Sequence, residues 1–157
     1  MIRPATFSDI PRLVELVRQG HARSIHKDIP LIDKAVRAYI MDGIRRHGGR
    51  VDGATLFNVV EFRGQIEGMM LCVLQKLYLI CDRLEAQDFW LYASNKCPAV
   101  GPSKLIDAYV RWCENNTEVH EVKLSYTDVL GVDDKRLCKL FQRKGFAVMG
   151  GIYRRAP

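Results

Sequence analysis

Between Tyr92 and Tyr109 a strand-like segment runs into a stretch of small residues and then into a segment of helical periodicity. A helix N-terminus presents unpaired backbone N–H groups and the positive end of the helix dipole. Where small residues lead into it, a phosphate can approach closely enough to be held by the backbone alone. Gly101 and Ser103 stand at that junction, with Lys96 and Lys104 close by to neutralise charge. The chemistry this spacing could support is capture of a phosphorylated ligand, although an ordinary helix cap uses the same residue types.

A second feature lies at the C-terminal end. Lys135, Arg136, Lys139, Arg143, Lys144, Arg154 and Arg155 fall there with no acidic residue among them, so the net charge of +6 belongs to this segment. Such a patch suits an anion: a phosphorylated cofactor, nucleic acid or an acidic protein. A solvated helix face is the plain alternative. No aromatic residues alternate with these basic ones, so the stacking platform of a single-strand binder is missing. The five cysteines, Cys72, Cys81, Cys97, Cys113 and Cys138, and the four histidines are scattered, without the close spacing of a metal knuckle or redox dithiol. No metal is expected, and reduced thiols in the cytoplasm are the simplest reading.

These groups must be positioned by 157 residues, which is one domain, 1–157, with room for a proper core. A composition 48% hydrophobic and 27% charged excludes wholesale disorder. The longest uncharged, weakly polar run, Gly68 to Leu74, is far short of the ~20 apolar residues that span a bilayer. Arg3, Pro4, Ser8 and Asp9 interrupt the beginning of the chain, so neither a secretory signal nor membrane association is expected.

Ile2 to Thr6 is β-prone. Ser8 is a candidate N-cap for a helix with Ile10, Leu13, Val14 and Val17 on one face, which Gly20 should end. His21–Pro30 is polar and carries two histidines. A second helix is expected from Asp33, with Val36, Tyr39, Ile40 and Ile44 together and Gly48-Gly49 as its stop. Thr55–Phe62 and Ile66–Leu74 read as a hairpin around Arg63-Gly64-Gln65. Neither alternates cleanly, so both should be covered on two faces. Cys81–Gln87 reads as a polar connection, and Asp88–Ser94 as a strand with Phe89, Leu91 and Ala93 on one side and Trp90 and Tyr92 on the other. Asn95–Ser103 is a loop opening into a helix through Ile106, Tyr109, Val110 and Cys113. Val122, Leu124 and Tyr126 mark a strand, Asp133-Asp134 the start of a last helix, and Phe146–Tyr153 a final strand. The order β-α-α-β-β-β-α-β-α-β describes one α/β layer structure, a central mixed sheet flanked by about four helices.

That order, the opening Ile2-Arg-Pro-Ala-Thr-Phe-Ser-Asp-Ile10 and the ending Leu140-Phe-Gln-Arg-Lys-Gly-Phe146 followed by Gly151-Ile-Tyr153 resemble the GNAT superfamily of N-acetyltransferases from end to end. The resemblance implies acetyl-coenzyme A as co-substrate, wedged between two central parallel strands. Its pantetheine would pair with Tyr92, Ala93 and Ser94, and its pyrophosphate would sit on Pro98–Ser103, with Lys96, Val100, Gly101, Ser103 and Lys104 around it. Pro98 stands where the family has Gln or Arg, Ser103 replaces Gly or Ala, and Pro102 has no N–H to donate.

The catalytic positions depart further from the pattern. Many members carry a Tyr four residues before the Gly-Phe pair to protonate the leaving thiolate. Phe141 stands there, with no proton to give. The family's preceding Asn is best matched by Asp134, and the spacing from Tyr126 suggests an insertion around Val129–Asp133. On this reading Tyr126 is the candidate acid, ahead of Ser125, and Asp88, with Glu61 as second choice, the candidate base. His21 and His26 could line a substrate groove.

The resemblance therefore implies an acyl-coenzyme A-dependent N-acetyltransferase acting on a small-molecule or protein amine by direct attack, as a monomer or homodimer. The alternative is a catalytically inactive relative of the same shape, similar to accessory proteins of phages and bacteria, binding an acidic protein or nucleic acid through the basic C-terminal surface.

Overall fold

The computed structural model describes residues 1–126 and 134–155, with the side chains of 134 and 135 excepted. Its elements are β1 (Ile2–Pro4), α1 (Ile10–Ala22), α2 (Asp33–Arg45), β2 (Thr55–Phe62), β3 (Gln65–Lys76), β4 (Leu84–Ala93), α3 (Gly101–Glu114), β5 (Val119–Lys123) and α4 (Asp134–Arg143). The strands form one sheet in the order β1-β2-β3-β4-β5. Neighbours are antiparallel except β4 and β5, which are parallel. This is the α/β layering the sequence implies.

The unbroken apolar runs of β2 and β3 follow from cover on both faces. Phe57, Val59, Met69 and Leu71 pack under Leu13, Leu16 and Ile40 of α1 and α2. The alternate residues Leu56, Val60, Met70 and Cys72 pack on Leu105, Ile106 and Tyr109 of α3, with Phe141 of α4 at the margin. Each fully buried Leu, Phe or Met of these layers contributes about 1.5–3 kcal/mol of transfer free energy, which makes the two layers rather than any polar pair the main source of rigidity.

Several elements differ from expectation, each for a physical reason. Ser8 does not cap α1. The chain enters through a 3₁₀ turn, Phe7–Asp9, in which the Asp9 carboxylate accepts from the Thr6 amide at 2.8 Å and from Arg3. Gly20 does not end α1. It is buried, and a Cβ there would lie 3.2 Å from Cδ2 of Tyr92, so the glycine admits a close helix–sheet approach. β4 begins at Leu84, inside the expected polar connection, because Glu85 is buried against Lys123 at 2.7 Å and Gln75 also donates to it. β5 ends at Lys123, before Leu124 and Tyr126, and α3 starts at Gly101 rather than after the loop. Phe146–Tyr153 forms no strand, and Val148, Met149, Ile152 and Tyr153 are exposed. The expected insertion at Val129–Asp133 lies outside the described residues, as does the side chain of Asp134.

β4 carries one irregularity that matters for the site. Leu71 pairs with Trp90 but Cys72 pairs with Asp88, so Phe89 is an extra residue, a β-bulge. The bulge shifts the alternation of β4. Before it, Leu84 and Ala86 belong to the α3 layer; after it, Leu91 does, while Trp90 and Tyr92 pack toward α1 and α2. Phe89 is therefore not on the side of Leu91, as strict alternation requires. It stands beside Trp90.

Candidate functional site

β4 and β5 pair from Leu84 and Val119 as far as Gln87 and Lys123, and then part. Side-chain hydrogen bonds take the place of the ladder there. The Tyr109 hydroxyl donates to the carbonyl of Lys123 at 2.9 Å, fastening the end of β5 to α3. The Ser125 amide donates to Asp88 Oδ1 at 2.8 Å, and the Ser125 hydroxyl reaches the same oxygen at 3.0 Å. The chain leaving β5 is thus tied to a carboxylate of β4 and not to its backbone. Beyond Gln87 the β4 edge facing away from β3 has no strand neighbour among the described residues. Backbone donors and acceptors in such a position need a partner, and a ligand can supply it.

This parting opens into a cleft of about 690 Å³. Asp88 to Ala93 line its floor, α1 contributes Leu16, Val17, Gly20 and His21, and Pro102, Ser125, Tyr126, Leu137 and Phe141 close the far side. Burial holds the Asp88 carboxyl above the ordinary aspartate range against the opposing pull of the two Ser125 hydrogen bonds. Tyr126 stands edge-on to Phe141, ring centroids 6.3 Å apart, and Phe141 packs equally close to Phe146. Burial also pushes the Tyr109 hydroxyl and the Cys72 thiol upward and Cys113 to about 12, so none of these is an ionised nucleophile near neutral pH.

The structure brings Asp88, Tyr92, Ala93, Ser125 and Tyr126 together in this cleft, with His21 and His26 at its α1 side. His21 Nε2 lies 2.7 Å from the Ile29 carbonyl, to which it donates. Glu61, the second-choice base, is elsewhere: it pairs with Arg3 across β1 and β2 at 2.7 Å. Ser94 turns away to donate to the buried Glu67, which Arg12 also holds at 3.0 Å. Lys96, Val100, Gly101, Ser103 and Lys104 gather at the start of α3, beyond the cleft lining, where Asn95 and Pro102 mark the boundary.

Around that helix start most amides are already engaged. Lys96 donates to Ser94 Oγ at 3.1 Å, Cys97 to the Ser94 carbonyl at 3.0 Å, Gly101 to Pro98 at 2.7 Å and Lys104 to Val100 at 3.1 Å. Pro102 has no N–H, which leaves those of Ala99, Val100 and Ser103. Gly101 is therefore not the donor its place in a phosphate loop implies. Its smallness serves packing, since a Cβ there would lie 2.7 Å from Cys97 Sγ and 3.3 Å from Val60. Sequence reasoning missed the Phe89 bulge and the Tyr109 bond to Lys123, because both depend on register between strands distant in the chain.

No protein-family model matches the sequence, and no curated protein matches it. Solved structures do. Glucosamine-6-phosphate N-acetyltransferase from Arabidopsis thaliana is similar over 99% of this chain and 97% of its own, with TM-score 0.69 at 14% identity. Ribosomal-protein-alanine N-acetyltransferase from Brucella melitensis biovar Abortus 2308 is similar over 99% of both chains, with TM-score 0.69 at 13% identity. An aminoglycoside acetyltransferase from an uncultured soil metagenomic sample, in complex with sisomicin, is similar over 100% of this chain and 95% of its own, with TM-score 0.68 at 17% identity.

Proposed function

The chain has the fold of the GNAT N-acetyltransferases along its whole length, and from that premise we propose that it is a divergent, active acetyltransferase moving an acetyl group from acetyl-coenzyme A to a primary amine. The observation that supports this most is the parting of β4 and β5 at Asp88, where the chain leaving β5 is bonded to Tyr109 and Asp88 side chains in place of the β4 backbone. A slot with an unpaired strand edge fits an extended ligand that carries amide groups. When bound, acetyl-coenzyme A supplies the thioester carbonyl that the amine attacks.

The residues of the chain then have separable tasks. Asp88 accepts the proton that the ammonium must lose, and its raised proton affinity suits a base better than an ordinary aspartate would. N–H groups on the open β4 edge are placed to stabilise developing negative charge on oxygen. Tyr126 lines the far wall, and in this reading its hydroxyl returns a proton to the departing thiolate. Tyr92 and Ala93 line the slot, while Ser103, Val100, Lys96 and Lys104 offer the remaining amides and positive charge beyond its end. The acceptor reaches the site from the α1 and α2 side.

Phe141 supports a second reading. In the position that the family gives to its acid, a buried phenylalanine packs between two other rings. A non-catalytic protein of this fold would instead bind an acidic protein or nucleic acid through the basic C-terminal residues. Melting curves separate the two. Acetyl-coenzyme A at 100 times its dissociation constant stabilises a fold by about 2.7 kcal/mol. A curve unmoved by millimolar acetyl-coenzyme A, together with nucleic-acid affinity that falls steeply with salt, would replace the transferase with the interaction protein.

A further inference from the structure

The acceptor side of the cleft carries a chemical preference of its own. Tyr39 from α2 and Phe89 and Trp90 from β4 form a cluster with ring centroids 5.0, 5.6 and 6.3 Å apart. Phe89 and Trp90 also line the cleft. Two consecutive strand residues reach the same neighbour only because Phe89 is the bulge. Yet Tyr39 and Phe89 remain 46% and 50% exposed. Phe89, half in water where it lines the cleft, offers apolar surface to a ligand, with Tyr39 stacked against it.

Charge narrows the choice. Among the described residues lining the cleft, Asp88 is the only carboxylate, while Arg23, His21 and His26 stand on its α1 side. Polyamines and aminoglycosides carry several ammonium groups, and each that enters a cleft needs its own acceptor to offset lost hydration. Among these residues the one carboxylate serves one ammonium. Asp88 and Phe89 both line the cleft, so an amine held at Asp88 can lay an aromatic body toward Phe89, where aromatic pairs are favourable.

From this we infer that the acceptor is a small monoamine with an aromatic body, an arylalkylamine, selected by Tyr39, Phe89 and Trp90. The inference rests on the transferase reading for its purpose, but it is tested by binding alone. Phenethylamine, propylamine and spermidine are titrated calorimetrically into the protein, with and without coenzyme A. Phenethylamine should bind at least about tenfold more tightly than either of the others. Tyr39→Ala and Phe89→Ala should each weaken phenethylamine by about threefold or more, and by more than they weaken propylamine. Spermidine binding as tightly as phenethylamine, or phenethylamine binding in neither condition, overturns the inference. Phenethylamine binding without any release of coenzyme A from acetyl-coenzyme A supports the aromatic site while removing the transferase.

Discussion

Asp88→Asn separates the chemistry of the site from its architecture. The amide oxygen can accept the same two bonds from Ser125, at 2.8 and 3.0 Å, so the parting of β4 and β5 should survive. What is lost is the proton acceptor. Positioned general bases contribute about 10²–10⁴-fold, and the lower end applies where solvent reaches a half-buried carboxylate, so kcat/KM should fall about 10²-fold. Stability should move the other way. The folded-state pKa of Asp88 is raised above its ordinary 3.8, so the native state binds the extra proton and its stability falls as pH climbs from that value through the folded one. Weakening two charge-assisted bonds to neutral ones costs about 1 kcal/mol each at most, and the upward shift means that burial already outweighs them in the ionised form. The variant should therefore be no less stable than the parent at neutral pH. Release of coenzyme A, followed with phenethylamine from pH 5 to pH 9, supplies the assay. The parent's rate should rise with pH through a value above the ordinary aspartate range, and this limb should vanish in Asp88→Asn. A variant that retains the limb, or that loses less than about threefold in rate, would refute Asp88 as the base.

Two predictions concern the frame that holds the cleft. His47 accepts the Phe57 amide on Nδ1 at 2.9 Å, and burial lowers its pKa below 6.5. Its neutral form stabilises the fold above that value and the contribution is lost as pH falls through the lower, folded one; urea melts should show this slope, and His47→Ala should flatten it. Gly43→Val would place a Cβ 2.9 Å from Leu71 Cδ1 and 3.0 Å from Phe57 Cδ1, both buried, so overpacking should cost about 1–3 kcal/mol in chemical denaturation. An unchanged denaturation midpoint would show that the α2–sheet contact is looser than this geometry requires.

Elements were legible in the sequence where a single pattern decides them. The hairpin of β2 and β3, the stripes of α1 to α3 and the acidic start of α4 follow from local periodicity, and the mixed sheet follows from their order. Where long-range contacts decide, local signals pointed elsewhere. Glu85 and Gln87 look like a polar connection until Lys123 and Gln75 arrive across the sheet to pair them. Gly20 looks like a helix stop until Tyr92 is seen against it. Phe146 to Tyr153 carries strand-forming residues without a strand. Asp88 and Tyr126, read from the sequence at the start and the end of expected strands, both line the cleft. Phe89 was assigned to the wrong side because a bulge breaks the twofold alternation, and a bulge is a property of two strands in register.

The central claim is that the gap between β4 and β5 receives the coenzyme. Amide resonances followed by NMR during titration with coenzyme A test it residue by residue. The largest shifts should fall at Leu91, Tyr92, Ala93, Ser125 and Tyr126, with the β1–β2 edge at Arg3 and Glu61 unmoved. Shifts confined to α4 and the basic residues after it, with the β4 edge silent, would show a surface anion contact in place of an inserted ligand and contradict the account.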